Sequence, residues 1–161
     1  MDNQIQSQYG GMEKGPIGII SRLDAPWDAD AFNVSDIGTD TLRPGDAFKL
    51  QGGEIVPLDD TADSAAAYGV LSYEHGAINR SATYGAENSE GVFYQTGDRV
   101  KSLVEGYVYV IAGGDIEAGD RVGFDPSTHR WTKVTYANLT VKRITAATAA
   151  ADGQVFEIII K

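Results

Sequence analysis

The sequence predicts an all-β protein, a compact β-barrel or β-sandwich of short strands with an extended N-terminal arm. Three observations carry that expectation. Short apolar runs of four to seven residues recur between Gly, Pro and Asp turns. Several of them alternate apolar and polar residues, the period of a half-buried strand. No stretch keeps the 3.6-residue period of a long amphipathic helix.

Residues 1–16 read as the arm. They hold Gln, Asn, Ser and Gly with Ile5, Tyr9 and Met12 scattered among them, and Pro16 closes the segment. No helical or strand period is sustained there. Fully extended, the arm would reach roughly 50 Å. Residues 17–161 read as a single β-rich domain. Ile17–Ile20 form a first apolar piece. Residues 24–40 carry Asp24, Asp28, Asp30, Asp36 and Asp40 around Trp27, Phe32 and Val34 and read as irregular. The turn Arg43-Pro44-Gly45-Asp46 precedes a strand with Phe48 and Leu50 on one face. Gly52-Gly53 turns the chain, and Pro57 marks the next strand as an edge or a strand end. Residues 59–67 suit one helical turn. Residues 68–73 read as a strand, and 75–91 as a long polar loop.

Phe93 and Tyr94 open a new ordered piece, followed by the turn at Thr96-Gly97-Asp98. Gly106–Ile111 is the strongest strand, with aromatic and β-branched residues on both faces. A turn at 116–120 leads to Val122 and Phe124. Asp125–Thr128 turn the chain into Trp131–Val134. Leu139 and Val141 alternate with Thr140 and Lys142, and residues 145–153 read as a loop. In the final strand Phe156, Ile158 and Ile160 share one face, and Glu157 and Lys161 the other. Gly-Asp stands before an apolar strand three times, at 45–46, 97–98 and 119–120. Those separations are too unequal for a solenoid or propeller. Gly supplies the turn, and Asp is expected to bond the backbone just beyond it.

Composition excludes several classes of function. The 161 residues include 23 acidic and 13 basic ones, a formal net charge of −10. Neutralising phosphates takes clustered Lys and Arg, so neither nucleic acid nor an anionic membrane is an expected partner. The absence of cysteine removes disulfides, thiolate metal sites and cysteine nucleophiles. No apolar stretch reads as a signal peptide or a membrane-spanning helix. Three Asn-x-Ser/Thr triplets, at Asn33, Asn79 and Asn138, read as chance without such a signal.

The search for chemistry yields no positive case for an enzyme. His75 and His129 lie in expected loops beside Glu74 and Arg130, and no Ser sits in a nucleophile elbow. Carboxylates are plentiful, yet nothing singles out an acid–base pair. Asp28 and Asp30 begin a calcium-loop spacing that Phe32 interrupts. The Gly-Gly pairs read as turns rather than a phosphate loop. Tyr107, Tyr109 and Trp131 suit core or strand-face packing better than a sugar platform. Neither a catalytic residue, a cofactor nor a metal is expected.

The ordered string Gly106-Tyr-Val-Tyr-Val-Ile, Ile116-Glu-Ala-Gly-Asp-Arg-Val122, Trp131-Thr-Lys-Val134 and a terminal strand after Asp152-Gly153 resembles tailed-bacteriophage capsid decoration proteins, also called cement proteins. The segment from Leu42-Arg-Pro-Gly-Asp46 to Tyr68-Gly-Val-Leu71 repeats the idea, so the likeness spans roughly residues 40–161. The acidic stretch at 24–40 and the loop at 75–91 are longer than in the smallest members.

The resemblance implies a non-enzymatic protein on the outer surface of an expanded phage head, made in the host cytoplasm. It would clamp neighbouring major capsid subunits as a homo-oligomer, a trimer in preference to a dimer. Ile5, Tyr9, Met12 and Ile17 are the expected capsid-binding residues of the arm, which would add main-chain bonds and apolar anchors to an exposed capsid strand. The rival readings are a β-rich receptor- or glycan-binding module of a tail or fibre, and a carboxylate-dependent hydrolase. Exposed aromatics clustered on one face would favour the first. Two acids facing across a cleft would favour the second.

Overall fold

The computed structural model describes residues 17–22, 24–73, 94–135 and 143–161. The expected contributions of Ile5, Tyr9, Met12, His75, Phe93, Leu139 and Val141 fall outside those residues.

Among the described residues nine strands account for nearly all regular structure. They are β1 (Asp28–Asn33), β2 (Ala47–Gln51), β3 (Glu54–Pro57), β4 (Gly69–Leu71), β5 (Arg99–Ile111), β6 (Val122–Asp125), β7 (Arg130–Lys133), β8 (Ile144–Ala146) and β9 (Val155–Ile160). A 3₁₀ turn at Ala62–Ala66 joins β3 to β4, where one helical turn was expected. All the named strand pairings are antiparallel. The fold is the all-β one expected.

The thirteen residues of β5 organise the molecule, because its two ends serve different sets of strands. The Arg99–Glu105 end pairs with β1 and, across Ser102 and Leu103, with β4. Strand β4 continues to β2 and β2 to β3. A parallel bridge from Val34 to Ile55 then returns to the chain leaving β1, so the pairings close into a ring. The Gly106–Ile111 end pairs with β9, and β9 with β8. An Arg121–Thr145 bridge leads to β6, β6 pairs with β7, and a parallel Ala112–Trp131 bridge closes a second ring.

The two rings repeat each other bond for bond. Gly45 N–H donates to Leu71 O and Leu71 N–H to Asp46 O; Gly119 and Ala146 do the same with Asp120. Val34 N–H donates to Asp98 O and Gly97 N–H to Val34 O, as Ala112 does with Gln154 and Gly153. The C-terminal end of β5 thus holds in the second half the place that β1 holds in the first.

Each ring encloses its own core. Val34, Leu42, Phe48, Ile55, Leu71, Tyr94 and Val100 fill the first, with the Phe32, Phe48 and Tyr68 rings in contact. Val108, Val110, Phe124, Trp131, Phe156, Ile158 and Ile160 fill the second, which continues into Ala47, Val70 and Leu103. Polar bonds join the halves: Trp131 Nε1–H donates to Gly45 O at 2.9 Å, and Phe124 N–H to Ser64 Oγ at 2.9 Å.

Three expectations need correction. The acidic stretch 24–40 contains strand β1, which the pattern of Asp residues concealed; its pairing to β5 outweighs poor strand propensity. Strand β8 takes residues 145 and 146, expected as loop. The turn aspartates bond backwards. Asp46, Asp98 and Asp120 each accept, at 2.9 Å, from the N–H three residues earlier, on Arg43, Gln95 and Glu117. The Gly before each Asp has φ of +88°, +85° or +90°, as a type II turn demands. A fourth copy closes with Gln154, whose Oε1 accepts from Ala151 N–H at 3.0 Å.

Candidate functional site

Of the four residues expected to meet a capsid, only Ile17 is among those described. It lies in the body of the fold, 7% exposed, with its side chain against Gly45. A side chain so placed packs within the fold. The reason is Gly45: its bare Cα leaves the space that the Ile17 methyl fills, since a Cβ there would stand 2.4 Å from it.

The chain beyond Ile17 is strapped onto β5. Gly18 N–H donates to Tyr109 O, Tyr109 N–H to Ile19 O, and Ser21 N–H to Tyr107 O, at 2.8–3.1 Å. Arg22 clamps the end of this strap. Its Nε and a terminal nitrogen each stand 3.1 Å from a Glu157 carboxylate oxygen, and its guanidinium lies 4.2 Å from the centre of the Tyr107 ring. Burial pushes the Glu157 carboxyl up, but hydrogen bonds from Arg22 and Ser21 outweigh it and hold the group below its ordinary value.

Trp27 follows the strap. At 40% it is the one large hydrophobic residue exposed among those described. Gly106, at φ +129°, positions it; a Cβ at Gly106 would stand 2.8 Å from Trp27 Cβ. Lys101 Nζ lies 5.4 Å from the indole centre. Strand β1 begins at the next residue and is mostly exposed, with Asp28 and Asp30 in water. Sequence reasoning missed this surface. Trp27 beside five aspartates was the available signal, but an exposed aromatic cannot be told from a core one without knowing which face it occupies.

The polar constellations point away from catalysis. His129, expected as a solvated loop residue, is largely buried; its Nδ1 stands 2.7 Å from Asp46 Oδ2 and its Nε2 3.3 Å from Thr41 Oγ1. That order of groups resembles a hydrolytic triad. Yet Asp46 closes its turn as Asp98 and Asp120 close theirs, where no described His stands against the carboxylate. Burial raises the Asp46 pKa, and the His129 bond opposes that shift. The imidazole therefore serves the one turn carboxylate packed between the halves.

An open groove runs between residues 39–41, 57–61 and 125–127. Its Asp125 is held below the usual carboxylate range by hydrogen bonds from Ser127 Oγ and N–H, at 2.6 and 2.9 Å. A general acid needs the opposite shift. Trp131, considered for a sugar platform, is fully buried. Among the described residues no three His, Asp or Glu side chains gather as metal ligands, and no helix is long and apolar enough to cross a membrane.

No curated protein matches the chain. A solved structure, the N base of the head fiber gp8.5 of bacteriophage phi29, is 15% identical over 84% of this chain and 95% of its own, with a TM-score of 0.39, too low to carry an argument. The family model described as structural cement protein (E217 gp24/Pam3 gp6) matches residues 5–161. That match takes in nearly the whole chain, and the chain belongs to the phage structural cement protein family.

Proposed function

We propose that this chain binds the outer surface of an expanded phage head and clamps neighbouring major capsid subunits against internal DNA pressure. Membership of the cement family indicates a structural, non-enzymatic role and implies a capsid protein of the virion that binds capsid proteins. The observation that carries the clamp is the strap. Residues 18–21 are hydrogen-bonded to β5 and locked by Arg22 to Glu157, so tension on an arm leaving at Ile17 is delivered to the longest strand of the fold.

In this reading residues 1–16 are an extended arm and 17–161 one β-rich domain. Ile5, Tyr9 and Met12 supply the arm's apolar anchors against an exposed capsid strand. Ordering the arm costs conformational entropy that its contacts must offset. Many copies on one shell make modest affinity per copy sufficient. The chain acts as a homo-oligomer, a trimer in preference to a dimer. Its charge of −10 keeps a crowded outer layer soluble and away from the genome. A glycan-binding module gains no support, because Trp27 stands alone as an exposed large hydrophobic among the described residues.

The test is heat-triggered DNA release from filled heads that lack this protein. Adding the full chain raises the release temperature. A chain without residues 1–16 stays folded, binds poorly and raises it little. Equal protection by the truncated chain refutes the arm, and no protection by either refutes the clamp.

A further inference from the structure

The two halves of the molecule repeat each other, and one strand edge breaks the repeat. In the second half, the β5 edge facing away from β9 is covered by residues 18–21, through the backbone groups of Tyr107 and Tyr109. Ile20 packs there on the core, opposite Val108. In the first half β1 holds the same place. Asn33 pairs with Arg99 as Ile111 pairs with Val155, which sets Ala29 and Ala31 in the positions of Tyr107 and Tyr109, and Asp30 in that of Val108.

Among the described residues nothing covers the corresponding edge of β1. Val34 N–H points at β5, donating to Asp98 O; by the two-residue alternation of a strand, the backbone groups of Ala29 and Ala31 face outward. Among the described residues β5 is the only strand paired with β1, and no other backbone group bonds to Ala29 or Ala31. Strand β1 carries neither Lys nor Pro; its two aspartates and the register shift at Asp28/Ala29 protect it against like strands but not against a basic one. Exposed Trp27 stands at its head.

Charge selects the occupant. Where the second half sets Val108 against Ile20, the first half offers Asp30, with Asp28, also exposed, two residues earlier. Neither aspartate has an ion pair among the described residues. The arm of another copy suits this edge poorly, because residues 1–16 hold Asp2 and Glu13 against the single Lys14. Nor does the chain's own arm start nearby. Gly18 O accepts from Tyr73 N–H, beyond β4, and β4 and β1 flank β5 on opposite sides at Ser102 and Leu103.

We propose that the edge of β1 is a docking strand for an extended, basic segment of the major capsid protein. The segment pairs with the backbone of Ala29 and Ala31, sets Lys or Arg against Asp28 and Asp30, and covers Trp27. The inference rests on the cement reading above and adds a second contact, separate from the arm.

The test uses the full chain on expanded shells that lack it. A photo-crosslinking amino acid replaces Ala31, and the adduct is mapped by mass spectrometry. The expected adduct is a Lys- or Arg-containing segment of the capsid protein. An adduct to another copy of this chain, or none on shells that bind it, overturns the proposal. Asp28→Asn with Asp30→Asn should weaken shell binding roughly tenfold and flatten its salt dependence. Ala31→Pro removes an outward N–H and breaks no β1–β5 bond, so it should lower occupancy at a nearly unchanged melting temperature. Wild-type affinity in both variants overturns the edge and leaves the cement reading standing. Failure of the wild-type chain itself to bind the shells overturns both.

Discussion

Gly45 and Gly119 have nearly the same backbone, at φ +88° and +90°, and their turns close with the same Asp hydrogen bond. Their surroundings differ. A Cβ on Gly45 meets the Ile17 methyl at 2.4 Å, whereas one on Gly119 meets nothing within 4 Å. Gly119→Ala should therefore cost about 1 kcal/mol, for left-handed backbone alone. Gly45→Ala should cost about 1–3 kcal/mol more, because a packed core must yield. Denaturant unfolding of the two variants measures the difference, and equal losses would remove Ile17 from the account. Phe156 is 1% exposed in the second core. Phe156→Ala should cost about 3–5 kcal/mol through the cavity it leaves; wild-type melting would show that this face is not core. These residues differ in how far the sequence reveals them. Phe156 was legible from alternation with Glu157. The Gly-Asp turns were legible as turns, but not the backward reach of the Asp side chain, since bonding forward or backward uses the same two residue types.

The elements follow the same division. Strand β9 and the C-terminal end of β5 announced themselves through β-branched and aromatic alternation. So did the β2–β3 hairpin through Gly52-Gly53, whose positive φ angles, +61° and +80°, fit a type I′ turn. Strand β1 did not, because its outward face carries no apolar pattern and its formation is dictated by β5. The strap was legible as an apolar piece, though its partner was not. Its lock gives a pH prediction. The Glu157 carboxyl lies below its ordinary value in the folded chain. Its contribution is therefore present above about pH 4.5, near the unfolded value, and is lost as pH falls through the folded one. Glu157→Gln should lower stability at neutral pH and make the acid limb of stability against pH shallower. An acid limb as steep as the wild type's would show that Arg22 and Ser21 do not hold the carboxylate.

At the scale of the whole molecule, the repeat was half visible. Three Gly-Asp turns, spaced unequally, look like no repeat at all. The matching pairs are Gly45 with Gly119 and Gly97 with Gly153, and the latter turn ends in Gln154 rather than Asp. The first half also carries a longer connection between β4 and its second turn, which breaks the spacing. Two rings sharing one strand make a body in which residues 18–21, the exposed Trp27 and strand β1 are all fixed to β5. Such a body resists being pulled apart by the contacts it makes, as a clamp requires. The family assignment was legible from the ordered turns and strands. Which side chains stand at the surface was not, because only the folded chain shows that Trp27 is exposed and Ile17 buried.

Cosedimentation of the purified chain with expanded shells lacking it, beside unexpanded procapsids, tests the clamp most directly. The account predicts saturable binding to expanded shells alone, at a fixed number of copies per shell. Equal binding to both forms, or binding to neither, would contradict it.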